Sequence, residues 1–314
     1  MAHTNESMIS EFVLLGLSNS WELQLFFFAI FSIVYVTSVL GNCLGIMIIV
    51  IVSSDSRLNS PMYFLLSNLS FIDICQSSFA TPKMLVDFFV AHKTISFEGC
   101  MAQIFLLHSF VGSEMMLLVA MAYDRFIAIC KPLHYSTIMN QTLCIIFVFI
   151  SWAVGILHSV SHLTFIVDLP FCGPNEVDSF FCDLPLVIEL ACMDTYEMEI
   201  MTLTNSGLIS LSCFLALIIS YTVILITVRH RSSSGSSKAL STLTAHITVV
   251  ILFFGPCIYF YMWPFSRLSL DKFLSVFYTV CTPLLNPIIY SLRNEDVKSA
   301  MRKLRNRHVS FWKN

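Results

Sequence analysis

The sequence predicts an all-α membrane protein, a bundle of seven helices crossing a lipid bilayer, on the strength of three observations. Of its 314 residues 56% are hydrophobic and only 12% charged, with a mean hydropathy of +0.79, against roughly 25% charged in an ordinary soluble domain. So few charges are unable to screen 28 Phe and 15 Met from water. Long apolar windows recur along the chain, and the first, Leu23 to Ser54, contains no charged residue. It exceeds the roughly 20 residues that a helix needs to cross a bilayer. The third observation is an uneven placement of basic residues around those windows. The net charge of -3 and a pI near 6.3 exclude a nucleic-acid binder, which would carry a basic stripe.

Before Leu23 the chain holds Glu6, Glu11 and Glu22 and no Lys or Arg. No basic region of a cleavable signal precedes the first window, so that span is expected to serve as its own anchor with residues 1–22 extracellular. Asn5-Glu6-Ser7 is then a glycosylation acceptor on the correct side. The remaining windows run from about Pro61 to Thr81, Cys100 to Cys130, Leu143 to Leu163, Met198 to Val228, Ala239 to Pro264 and Phe273 to Leu292. Asp73 interrupts the second, and Glu114, Asp124 and Arg125 the third. Ionisable residues inside a span are costly and mark function.

This threading places Arg57, Arg125, Lys131, Arg229, Arg231, Lys238 and the bases from Arg293 to Lys313 inside, thirteen in all. Only Lys83, Lys93, Arg267 and Lys272 fall outside, which follows the positive-inside bias. The chain thus divides into an extracellular segment 1–22, a seven-helix domain 23–292 and a cytoplasmic tail 293–314. Ser232, Ser233, Ser234, Gly235, Ser236 and Ser237 read as a flexible inner loop. Val297, Met301 and Leu304 give the tail one apolar side, predicting a short amphipathic helix against the inner leaflet.

Of eleven cysteines, Cys100, Cys172, Cys182 and Cys192 lie at or beyond the outer face. Four thiols in an oxidising compartment suggest disulfides, and three pairings are open. Cys43, Cys75, Cys144, Cys213, Cys257 and Cys281 sit within spans as small apolar residues. The stretch from Thr164 to Glu197 carries seven acids and no base. A loop of that length is expected to be ordered by its cysteines and to fold over the outer mouth.

Two motifs carry chemistry. Met121-Ala122-Tyr123-Asp124-Arg125-Phe126-Ile127-Ala128-Ile129-Cys130 sets an acid beside a base at the inner surface, where an ion pair serves as a latch. Pro283-Leu284-Leu285-Asn286-Pro287-Ile288-Ile289-Tyr290 places a proline where it frees a carbonyl and kinks a helix. With Gly41-Asn42 and Trp152, this set resembles the rhodopsin-like G-protein-coupled receptors. The finer resemblance, over nearly the whole chain from Glu11, is to the vertebrate olfactory receptors of the tetrapod-type class. Its residues are Pro61 to Ser70, the Met121 to Cys130 run with Lys131-Pro132-Leu133-His134-Tyr135, Lys238-Ala239-Leu240-Ser241-Thr242, and Pro287-Ile288-Ile289-Tyr290-Ser291-Leu292-Arg293-Asn294.

That resemblance implies a plasma-membrane receptor for a small odorant that couples to a heterotrimeric, stimulatory olfactory-type G protein and raises cyclic AMP. It implies disulfides Cys100-Cys182 and Cys172-Cys192, and a ligand pocket of His108, Val111, Gly112, Asn205, Ile209, Cys257, Tyr261 and Thr279. No Lys or Arg is among these, so a neutral, largely apolar ligand is expected. It further implies an activation switch of Asp124, Arg125, Tyr221, His246, Asn286, Pro287 and Tyr290. Two carboxylates, Asp73 and Glu114, are implied to face inward with Asn286 nearby, where a sodium ion or protons would relieve their burial; no other cofactor is expected.

The chain departs from the family pattern at Leu243, where Cys is frequent, and at Phe254, where Tyr is frequent, so a hydroxyl of the sixth span is missing. Ser179 stands where many members have a His that has been proposed to bind metal with the loop Cys, so no metal is expected there. A non-olfactory chemoreceptor of the same class is the nearest alternative. A cation-coupled transporter would show internal repeats with paired broken helices, and the sequence shows none. An intramembrane hydrolase would need an HExxH or GxSxG motif, and neither occurs, so the chain is not expected to be an enzyme.

Overall fold

The computed structural model describes residues 10–16, 20–53, 61–171, 175–230, 236–262 and 275–292. In chain order these form strand β1 (Glu11–Leu14), helices α1 (Trp21–Ser53) and α2 (Pro61–Asp87), strand β2 (Thr94–Ser96) and helix α3 (Phe97–Cys130). A 3₁₀ turn (Pro132–His134) and α4 (Tyr135–Ile138) lead to α5 (Gln141–Ile166), β3 (Glu176–Val177), α6 (Leu184–Ile188) and α7 (Tyr196–Thr202). A π turn at Leu203–Gly207 joins α7 to α8 (Leu208–His230) in one rod, followed by α9 (Ser236–Met262). The final rod is two π turns, Phe277–Cys281 and Pro287–Leu292, on either side of α10 (Thr282–Asn286).

Helix α1 shows why lipid is the solvent. Its buried stripe, Phe31, Ser38, Asn42 and Ile49, keeps helical spacing, while Phe26 (57% exposed), Ile33 (67%) and Leu40 (63%) cover the other side. An outward face this apolar is stable only against hydrocarbon. Among the described residues, four helical rods are long and apolar enough to cross a membrane: Trp21–Val50, Phe97–Cys130, Gln141–Ile166 and Tyr196–His230. His246–Met262 and Thr279–Ile289 are shorter apolar helices, and α2 is diluted by Asp73, Lys83 and Asp87.

Helix α3 is the axis of the bundle, with buried residues along its length from Cys100 to Ile127. Ser96 caps it by accepting from Gly99 N at 3.1 Å, and Asn140 caps α5 by accepting from Leu143 N at 2.8 Å. Helices α3 and α5 cross with almost no side chain between them. A Cβ on Gly112 would stand 3.0 Å from Gly155 Cα, the close approach that small residues allow in membranes.

A second close approach explains Gly41-Asn42. Pro287 has no N–H, so the Pro283 carbonyl one turn earlier loses its helical donor. Asn42 Nδ2 of α1 donates to that carbonyl at 2.9 Å, and to Ser38 O at 3.0 Å. Gly41 makes room for it, since a Cβ there would already lie 3.3 Å from Pro287 Cγ.

One end of the bundle carries a cap, in which the expected long loop joins a three-stranded sheet that the sequence did not announce. Strand β1 pairs antiparallel with β2 (Glu11 with Ser96, Val13 with Thr94) and parallel with β3 (Val13 with Glu176, Leu14 with Val177). Beneath this sheet Phe12, Leu14, Ile95, Ile104, Ile166, Val177, Leu184 and Val187 form a core distinct from that of the bundle. Cys100 and Cys182, bonded to one another, lie within it.

Element bounds differ from expectation in three places. Helix α2 continues six residues past Thr81, through Pro82 to Asp87, because an ion pair between Lys83 and Asp87 at 2.7 Å carries it beyond the apolar window. Ser236 and Ser237, expected in a loop, open α9. The loop from Thr164 is shaped by β3 and α6. Its helix α6 is capped by Asp183, which accepts from Leu184 N at 2.8 Å. Asn5, Cys172, Ser232 to Gly235 and the tail from Arg293, with its expected surface helix, lie outside the described residues.

Candidate functional site

Below the cap, a narrow cavity opens between α3, α5, α8 and α9. It is walled by His108, Val111, Gly112, Met115, Met116, Val154, His158, Ser206, Ile209, Ser210 and Tyr261. The space that the centre of a water molecule can reach is about 20 Å³, room for on the order of one water. A larger molecule enters only by moving side chains, and the unbranched Met115 and Met116 are the most adaptable of them.

Five of the eight expected pocket residues line this cavity: His108, Val111, Gly112, Ile209 and Tyr261. Asn205, Cys257 and Thr279 do not. Asn205 is turned toward α5, where its Nδ2 donates to Ser161 Oγ. Cys257 and Thr279 are fully buried elsewhere in the bundle. The π turn at Leu203–Gly207 shifts the helical register here, so that Ser206 and Ser210 face the cavity beside Ile209.

Sequence reasoning missed His158 and His162. They stand four apart on α5, hence on one face, and His108 of α3 packs against both, with ring centroids 5.4 and 4.7 Å away. His158 Nε2 lies 3.0 Å and His162 Nε2 2.8 Å from Ser206 Oγ, and 3.2 Å from one another. The four-residue spacing was the available signal.

Deeper in the bundle, Asn286 Nδ2 donates to Asp73 Oδ1 and to Glu114 Oε1, both at 2.9 Å. All three residues are buried. Asp73 Oδ2, Glu114 Oε2 and Asn286 Oδ1 have no hydrogen-bond partner among the described residues. Two carboxylates and an amide oxygen make a hard, all-oxygen donor set, which fits a sodium ion or shared protons.

At the opposite end from the cap, Arg125 Nε and Nη2 donate to Asp124 Oδ2 at 3.0 and 2.7 Å, and Tyr135 Oη donates to Asp124 Oδ1 at 2.8 Å. Asp124 is fully buried while Arg125 keeps partial access. Tyr135, in the expected motif but given no role, is thus the second hold on the carboxylate. Tyr221 of α8 and His246 of α9 meet edge to face nearby, with ring centroids 6.3 Å apart, and both are buried. Pro287 and Asn286 act in the final rod as described above; the Tyr290 side chain lies outside the described residues.

The chain's match to the Olfactory receptor family extends over residues 31–307. It is 90% identical to Olfactory receptor 4K1 of Homo sapiens over 314 residues, the whole of both chains. The chain belongs to the olfactory receptor family. Olfactory receptor 4K15 of Homo sapiens is 63% identical over 309 residues, 98% of this chain and 94% of that one, and Olfactory receptor 4K3 of Homo sapiens 62% over 304, 97% and 96%. This olfactory receptor is therefore a rhodopsin-like, seven-helix, multi-pass membrane protein with the function of an odorant receptor. Membership of the G-protein-coupled class implies an odorant ligand and a G-protein partner.

Proposed function

We propose that this receptor binds a small, neutral, largely apolar odorant in the cavity between α3, α5, α8 and α9, and that the bound form activates a stimulatory olfactory-type G protein, raising cyclic AMP. The observation that carries this is the cavity wall: apolar Val111, Met115, Val154 and Ile209 with a few polar groups, His108, Ser206 and Tyr261, and no Lys or Arg. Such walls suit neutral ligands with one or two oxygen functions. Because the space is water-sized, the odorant favours a conformation in which the surrounding helices stand further apart, and it shifts the population toward it.

In this reading the cap faces outward at the plasma membrane, with residues 1–22 extracellular, Asn5 glycosylated and the tail cytoplasmic. The positive-inside bias supports this orientation. The Asp124–Arg125 pair is the closed latch. On opening, Arg125 leaves Asp124 for Tyr221, His246 and Tyr290. The Asp73, Glu114 and Asn286 cluster holds a sodium ion or protons in the resting form. Cys192 is disulfide-bonded, and its amide donates to Pro170 O at 2.9 Å beside a bridge between Phe171 and Ala191. That register supports Cys172 as its partner.

A cyclic-AMP reporter in cells carrying the olfactory G protein, challenged with an odorant panel, tests the reading. Wild type is expected to respond to neutral ligands. Gly112→Leu places a side chain against Gly155 and the cavity, so responses to large agonists should fall at least tenfold. Unchanged dose-response curves for every agonist in that mutant would remove the ligand from this cavity.

A further inference from the structure

We propose that His108, His158 and His162 form a binding site for one divalent transition-metal ion, Zn²⁺ by the chemistry of its donors, with the fourth coordination position open to the odorant cavity. One candidate ligand atom from each imidazole lies within 4.8 Å of the others. His158 and His162 share one face of α5 at i and i+4, a spacing that lets two imidazoles chelate a single ion. His108 supplies the third donor from α3, across the close helix crossing that Gly112 and Gly155 permit.

The site's hydrogen bonding is incomplete without an ion. His158 Nε2 and His162 Nε2 face each other and Ser206 Oγ. His108 Nε2 is buried with no hydrogen-bond partner, and its residue is 1% exposed. Three neutral imidazoles offer lone pairs to a borderline cation, and imidazole suits zinc, copper and nickel. A zinc–nitrogen bond of about 2.0–2.1 Å in tetrahedral geometry sets donors about 3.3 Å apart. The His158 to His162 separation of 3.2 Å already has that value, and binding would draw the His108 donor, which lies within 4.8 Å of both, closer to them. Ser206 Oγ is hydrogen-bonded to two of the donors, at 2.8 to 3.0 Å. His108, His158 and Ser206 all line the cavity, so a molecule bound there with a nitrogen, sulfur or oxygen lone pair can supply the fourth ligand. The ion would then join odorant, α3 and α5 at one point.

Receptor stripped with chelator and held in lipid nanodiscs provides the test, using Zn²⁺ and Co²⁺ alone as probes. Wild type should take up one equivalent of Zn²⁺, and Co²⁺ should give the intense visible bands of a tetrahedral site. His108→Gln and His158→Gln should each weaken Zn²⁺ at least tenfold, whereas His92→Gln, an exposed residue outside the cluster, should leave it unchanged. Wild-type affinity in both cluster variants would place the ion elsewhere and overturn the proposal. If the variants do not fold, the wild-type Co²⁺ spectrum decides, and the absence of tetrahedral bands overturns it. These readouts record metal uptake alone, so a failure to find an odorant leaves them intact.

Discussion

At the cap end, the Cys100–Cys182 disulfide, three short strands and a separate apolar core fasten the amino-terminal segment, the α2–α3 connection and the long loop together. At the latch end, one buried carboxylate, Asp124, holds Arg125 and Tyr135 through three hydrogen bonds. The cap is closed by a covalent bond and backbone ladders that persist through thermal fluctuation. The latch is closed by side chains, one of them partly solvated, whose exchange of partners costs little. The proposed function asks for this division, a ligand end that keeps its shape and another end that moves.

Removing the cap's covalent tie should give the largest effect. The disulfide spans 82 residues, and loss of a native disulfide typically costs about 2–5 kcal/mol. Cys182→Ser is expected to reduce surface receptor at least tenfold, measured by flow cytometry of an amino-terminal tag. Near-normal surface levels would mean that the sheet and its core hold the cap without the bond.

Breaking the latch should act on signalling instead. Arg125→Ala is expected to abolish odorant-driven cyclic AMP while surface expression stays measurable, since Tyr135 still donates to the buried Asp124 carboxylate. A normal response in that mutant would sink the latch assignment.

A finer probe distinguishes the cavity from both ends. Tyr261→Phe should weaken agonists that hydrogen-bond the hydroxyl by about 0.5–1.5 kcal/mol, roughly two- to tenfold in potency, with expression and maximal response unchanged. Equal potency for all agonists would remove Tyr261 from the ligand's polar contacts.

These regions were unequally legible in the sequence. The Asp124–Arg125 pair was readable because acid and base are adjacent, and the freed Pro283 carbonyl because Pro287 has no N–H to offer it. Asn42 as that carbonyl's partner was not readable, since the bond joins residues 241 apart. The cap sheet escaped because its strands have four, three and two residues and pair over long separations, too short for alternation to register. In the cavity, the side chains that face inward depend on the rotation of α8, which the π turn at Leu203–Gly207 resets. The family resemblance named Asn205 and not Ser206, whereas the π turn sets Asn205 against Ser161 and Ser206 against the cavity. His158 and His162 had a usable four-residue spacing, but only the α3–α5 crossing brings His108 to them.

The most direct measurement is hydrogen–deuterium exchange of the reconstituted receptor with and without an agonist from the panel. Exchange reports local opening element by element. Agonist should raise exchange at the latch-end halves of α8 and α9, around Tyr221 and His246, while β1, β2 and β3 stay protected as in the free receptor. Loss of protection in the strands with no change around Tyr221 and His246 would contradict the account.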